Sequence, residues 1–165
     1  MSTSTAPTPT GRPPRIAAER LAAWRGFLEA HARVTDVLAR ELRDEVRLPL
    51  AWYDVLVQLQ EADGHRLRMQ ELAAAVLLSK SGLTRLVDRM EAEGLVRRTA
   101  CADDRRGTFA ELTDEGYETL RRTAPTHLRG VEEHFTSLLD DHEAEVLARA
   151  LQRIAQHARE VEADA

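Results

Sequence analysis

The chain has 165 residues, with 23 Lys plus Arg against 28 Asp plus Glu, so its formal charge is −5, and a single cysteine precludes an internal disulfide. A hydrophobic fraction of 43% with only 4% aromatics, dominated by Ala and Leu, suits a helical domain or two closely joined lobes. No apolar run approaches the ~20 residues that span a bilayer, and the start lacks a charged segment followed by an apolar core, which predicts a cytoplasmic protein without membrane partners.

In chain order, residues 1–14 are rich in Ser, Thr and Pro and predict a disordered tail. From Arg15 to about Val46 the pattern turns helical, with Ile16, Leu21, Trp24, Phe27, Leu28, His31, Val34, Leu38 and Leu42. Residues 15–48 are read as an N-terminal dimerisation helix. Pro49 suits the first turn of a second helix, running to Asp63, that buries Trp52, Val55, Leu56 and Leu59 and closes at Gly64.

A short helix after Met69 is expected to bury Leu72, Ala73, Val76 and Leu77 on one face. Ser79 sits where an N-cap belongs. In the next helix Leu83, Leu86, Val87 and Met90 follow i, i+3, i+4, i+7 and face inward, and Gly94 ends it. Lys80, Ser81, Thr84, Arg85, Asp88 and Arg89 are left at its entry and on the opposite face. LVRRTA and GTFAEL have strand composition and are joined by CADDRR, a turn that projects Arg105 and Arg106 from the body. Helix, turn, helix and hairpin make residues 49–116 a winged helix-turn-helix lobe.

Thr113 is the expected N-cap of a helix running toward Leu139, with a kink or break at Pro125. Asp140 and Glu143 resemble a capping box for a last helix striped with Val146, Leu147, Leu151, Ile154 and Val161. Residues 117–165 are read as C-terminal dimerisation helices, because the two terminal regions carry more apolar stripe than so small a lobe can cover. The fold class is therefore mainly α with a minor β component: a winged lobe with long N- and C-terminal helices forming a dimerisation layer.

Between Ser79 and Gly107 seven cations oppose five anions, giving +2 and leaving −7 for the remainder. Affinity for nucleic acid follows such local placement rather than whole-chain charge, and Arg is the side chain that reads guanine through two acceptors at once. The expected DNA contacts are Ser79, Lys80, Ser81, Thr84, Arg85, Arg89, Arg105 and Arg106. One alternative is an ordinary solvated charged face. Another is a winged-helix module that binds protein rather than DNA, which calls for apolar residues on the exposed helix face. An enzyme is disfavoured: there is no Gly-rich phosphate loop, no nucleophile elbow and no acid-base carboxylate pair.

The stretch LRMQELAAAVLLSKSGLTRLVDRMEAEGLVRR, followed by DDRRGTFAELTDEG and framed by long helices, resembles the multiple antibiotic resistance regulator (MarR) family. The resemblance covers nearly everything after the first dozen residues. It implies a homodimer on a pseudo-palindromic operator in double-stranded DNA, repressing transcription until a small molecule releases it. It also implies that Arg105 enters the minor groove, that Asp104 and Arg106 brace the wing tip, and that Ser81, Thr84 and Arg85 lie in the major groove. The Cys-Ala-Asp before the Asp-Arg-Arg departs from the family's commonest wing.

An effector pocket is expected where the first two helices meet the lobe, from Trp24, Trp52, Tyr53 and Asp54 with His31 nearby; two aromatic faces and a polar handle suit a planar aromatic ligand. The same tryptophans also read as plain core. Asp54, Arg85 and Arg97 resemble the acid-and-arginine set of relatives that sense urate-like anions. Cys101 is either a redox switch, with four arginines lowering its pKa, or an incidental thiol whose neighbours Asp103 and Asp104 oppose that shift. The six histidines form no pairing typical of zinc, so neither metal nor cofactor is assigned.

Overall fold

The computed structural model describes residues 15–100 and 107–163. The expected tail and the hairpin tip, with Cys101, Asp104, Arg105 and Arg106, lie outside the described residues. The chain divides into two units, Met1–Arg33 and Val34–Ala165. The first contains most of helix α1 (Ala18–Glu41), a row of aromatic rings on an otherwise solvated rod. Trp24 and Phe27 lie 6.1 Å apart, Phe27 and His31 6.3 Å, and Glu29 pairs with Arg33 one turn on.

In the second unit α1 loosens into a π-helical turn, Leu42–Val46, closed by Arg47 in the left-handed conformation. Then follow α2 (Leu50–Glu61), β1 (Arg66–Arg68), α3 (Met69–Ala75), α4 (Lys80–Ala92), β2 (Val96–Ala100), β3 (Thr108–Leu112), α5 (Asp114–His134) and α6 (Asp141–Ala163). The sheet is antiparallel in the order β1-β3-β2, with Leu67 opposite Ala110 and Ala110 opposite Arg98. Its inner face and α2, α3 and α4 close one core. Val55, Leu56, Leu59, Leu72, Leu83, Val87, Met90, Val96 and Ala110 are almost wholly buried there. Each large aliphatic side chain so buried stabilises the lobe by about 1.5–3 kcal/mol.

Several expectations are corrected. The lobe has a third strand, β1, whose three residues are too few for alternation to be read from sequence. Val76 caps α3 and is only half-buried, while Leu77 adopts φ +55° and is 88% exposed. The turn that starts there ends the helical face one residue too early for Leu77 to share it. Pro49 precedes α2 as its N-cap rather than sitting inside its first turn, although its carbonyl accepts from Trp52 and Tyr53. Helix α5 runs unbroken through Pro125, which is exposed, while Leu120, Thr123, Thr126 and Gly130 on either side are buried against α2 and the π-helical turn. The interruption falls instead at Phe135, before a short 3-10 turn, Thr136–Leu138.

Gly130 permits the close approach at that packing: a Cβ there would stand 2.5 Å from a Glu41 carboxylate oxygen and 2.7 Å from Leu38. The neighbouring pairs Glu41–His134 and Glu45–Arg129 tie the same elements together. The reciprocal bonds of Asp140 and Glu143 form the capping box expected at the start of α6.

Candidate nucleic-acid interface

The interface is built around α4. Ser79 caps it, its Oγ accepting from the Gly82 amide at 3.1 Å, as its position before the apolar pattern requires. Leu83, Leu86, Val87 and Met90 are buried, which turns Ser81, Thr84, Arg85, Asp88 and Arg89 to solvent, with Lys80 exposed at the entry. The Thr84 hydroxyl donates to the Lys80 carbonyl, so what it offers outward is an acceptor. At the far end Gly94 takes φ +74°. Thr113 then serves two elements: its Oγ1 donates to the Gly94 carbonyl at 2.7 Å and accepts from the Gly116 amide, capping α5.

Arg98 was counted as one more cation in the sequence, yet it is committed within the protein. From β2 its guanidinium reaches Asp88 and Glu91 on α4, each at 2.6 Å, and donates to the Thr84 carbonyl at 3.2 Å. Its backbone N–H donates to Glu91 as well. The hairpin root is thereby clamped to the exposed helix, and two of the segment's anions share one guanidinium. Nothing in helical periodicity announces such a strand-to-helix contact.

The outer face of the sheet is also ionic. Arg97 pairs across strands with Glu111, and this hydrogen bond holds the Glu111 carboxyl below the ordinary value while raising Arg97. Arg66 and Arg68 both lie over the Phe109 ring, 5.0 and 5.4 Å from its centre.

Of the expected effector residues within Val34–Ala165, two line one cleft. Tyr53 and Asp54 line an open cleft of about 510 Å³ with Val57, Gln58, Glu61, Ala75, Leu77 and His127. Trp52 packs half-buried against the core, and Trp24 and His31 belong to the aromatic row of α1. Arg85 and Arg97 are not among the residues lining the cleft, so the anion-sensing trio with Asp54 does not form there.

His127, unremarked as a site residue in the sequence, packs tilted against Tyr53 with ring centres 4.3 Å apart and has a buried Nδ1 without a hydrogen-bond partner. Burial pushes the Asp54 carboxyl up and the His127 imidazole down. It also pushes the Tyr53 phenol up, with the charges of Asp54 and Glu61 adding to the effect. Among the described residues no cluster of three His, Cys, Asp or Glu could hold a metal, and no helix is long and apolar enough to cross a membrane.

A family model described as "MarR family" matches residues 48–107, the segment from α2 through the hairpin. The crystal structure of AbsC, a MarR family transcriptional regulator from Streptomyces coelicolor, is 41% identical, with 88% of this chain and 98% of that one covered at a TM-score of 0.81. This chain belongs to the MarR family. Sco3205, a MarR family transcriptional regulator from the same organism solved in complex with DNA, is 39% identical over 88% of this chain and 91% of that one, TM-score 0.81. The regulator MhqR of Bacillus subtilis is 32% identical over 92 residues, 56% of this chain, and the match spans 63% of its length. As a MarR family member the chain is a transcription regulator, not an enzyme.

Proposed function

We propose that this MarR family regulator binds double-stranded DNA as a homodimer on a pseudo-palindromic operator and represses transcription until a small ligand releases it. One observation carries the reading: α4 buries Leu83, Leu86, Val87 and Met90 and presents Lys80, Ser81, Thr84, Arg85 and Arg89 to solvent. That face holds hydrogen-bonding and cationic groups and no large apolar residue, which suits base edges and phosphates better than a protein partner. The solved complex of Sco3205 with DNA supports the same choice.

Pairing of two copies rests on the terminal helices. Ile16, Trp24, Phe27 and Leu28 near the start, and Val146, Ile154 and Val161 on α6, stay 43–61% exposed in the single chain. A second copy covers these residues and sets two α4 helices roughly 34–36 Å apart, one duplex turn. In this reading residues 15–48 and 117–165 are the dimerisation segments and 49–116 the DNA-binding lobe. Arg105, Arg106 and Asp104 serve the wing, with Arg105 in the minor groove. The effector enters the cleft of Tyr53, Asp54 and His127, where an aromatic pair and a carboxyl hold a planar polar molecule.

The test is fluorescence anisotropy on a duplex enriched from a random-sequence pool. Arg85→Ala is expected to cost about 1–3 kcal/mol and to relax preference at one base pair. Arg105→Ala should weaken binding with a smaller salt slope. Unchanged affinity in both variants removes the DNA reading. Titration with aromatic acids, followed by tryptophan fluorescence, tests the cleft; no response up to millimolar ligand counts against it.

A further inference from the structure

Given the reading above that the cleft of Tyr53, Asp54 and His127 receives the effector, we propose that it selects by positive charge. It takes a flat aromatic cation, an amidine or a protonated amine, in preference to an aromatic acid of the same shape.

The charge comes from one stripe of α2. Asp54, Val57, Gln58 and Glu61 stand at i, i+3, i+4 and i+7, which places them on one face of the helix, and all four line the cleft. Two of them are carboxylates and one is an amide. No Lys or Arg is among the described residues that line the cleft. His127 is the remaining lining group that can carry positive charge, and burial disfavours its protonated form. An anion entering there meets two acidic groups and no cation to offset them.

A cation meets the reverse. Burial raises the Asp54 carboxyl, and a positive group beside it would stabilise the ionised form that burial disfavours. The charges of Asp54 and Glu61 both act on the Tyr53 phenol, so their field converges at an aromatic ring, the kind of surface that attracts organic cations. His127 packs against that ring and keeps a buried Nδ1 with no hydrogen-bond partner among the described residues. In the tautomer protonated at Nε2 that nitrogen accepts, and an amidine N–H is a donor of the right kind. The ligand's apolar body has its place too. Leu77 and Leu128 line the same cleft and are 88% and 62% exposed, so an aromatic ring lying on them removes apolar surface from water.

Benzamidine, benzamide and benzoate have nearly one shape and are positive, neutral and negative. Calorimetric titration of the full chain with each, at neutral pH, is the test. Benzamidine is expected to bind about tenfold more tightly than benzoate, with benzamide between, the scale of one charge-assisted hydrogen bond. Asp54→Asn and Glu61→Gln should each shrink that preference to about threefold or less and leave benzamide binding unchanged.

Benzoate binding as tightly as benzamidine, or a preference that survives both substitutions, overturns the proposal. If Asp54→Asn fails to fold, Glu61→Gln decides in the same way. If none of the three probes binds up to millimolar concentration, the reading of the cleft as an effector site falls, and its charge selection with it.

Discussion

The winged lobe and the terminal helices treat apolar residues in opposite ways. In the lobe α2, α3, α4 and the sheet bury Val55, Leu56, Leu59, Leu72, Leu83, Val87 and Met90 almost completely. Residues 15–33 and helix α6 bury no side chain among those described, although both carry large apolar residues at helical spacing. A helix in water gains nothing from leaving Trp24 54% exposed or Ile154 61% exposed. The contrast teaches that the lobe closes its own core, and it supports the proposal that a second copy covers the terminal helices.

The contrast breaks first in the lobe. Leu59→Ala should cost about 2–5 kcal/mol in urea unfolding, since the surrounding core cannot collapse onto the cavity; a loss below about 1 kcal/mol would mean the lobe is not self-contained. Next comes α6, where Ile154→Glu should weaken self-association by at least the about 1.5–3 kcal/mol that burying an isoleucine supplies. Sedimentation at micromolar concentration reads that shift, and an unaltered dimer would free α6 of the role given to it.

Smaller effects come from the clamp and the cleft. Arg98→Met leaves Asp88 and Glu91 facing each other beside α4 and loosens the hairpin root; a loss of DNA affinity of about 1 kcal/mol is expected with the fold retained. Wild-type affinity in that variant would show that the clamp does not position the helix.

The smallest is at Asp54. Its carboxyl lies above the ordinary value in the folded chain, so the fold favours the protonated form and loses stability as pH rises through that raised value. Asp54→Asn should therefore raise the melting temperature slightly at neutral pH and have no effect in acid, where the carboxyl is already neutral. His127 runs the other way: its lowered pKa means that acidification below about pH 6.5 costs stability, and His127→Phe should remove that part of the acid loss.

What the sequence disclosed, and what it did not, follows the range of the forces involved. The buried face of α4, the Ser79 and Thr113 caps, the left-handed Gly94 and the Asp140–Glu143 box were legible because each depends on residues within a turn or two. Strand β1 was not, since three residues of Arg-Leu-Arg acquire their meaning only by pairing with Phe109, Ala110 and Glu111. Pro125 misled for the same reason: packing of α5 on both sides outweighs one missing hydrogen bond. Arg98 read as a free cation until its partners 7 to 14 residues earlier came into view. His127 gained interest only from Tyr53, which lies in another helix.

The central claim is that two lobes, paired through their terminal helices, read one duplex together. Sedimentation of the protein mixed with its pool-enriched duplex tests this most directly. The account predicts two chains per duplex, with a dimer of the same mass when DNA is absent. A monomer that binds one chain per duplex, or a dimer that enriches no duplex at all, would contradict it.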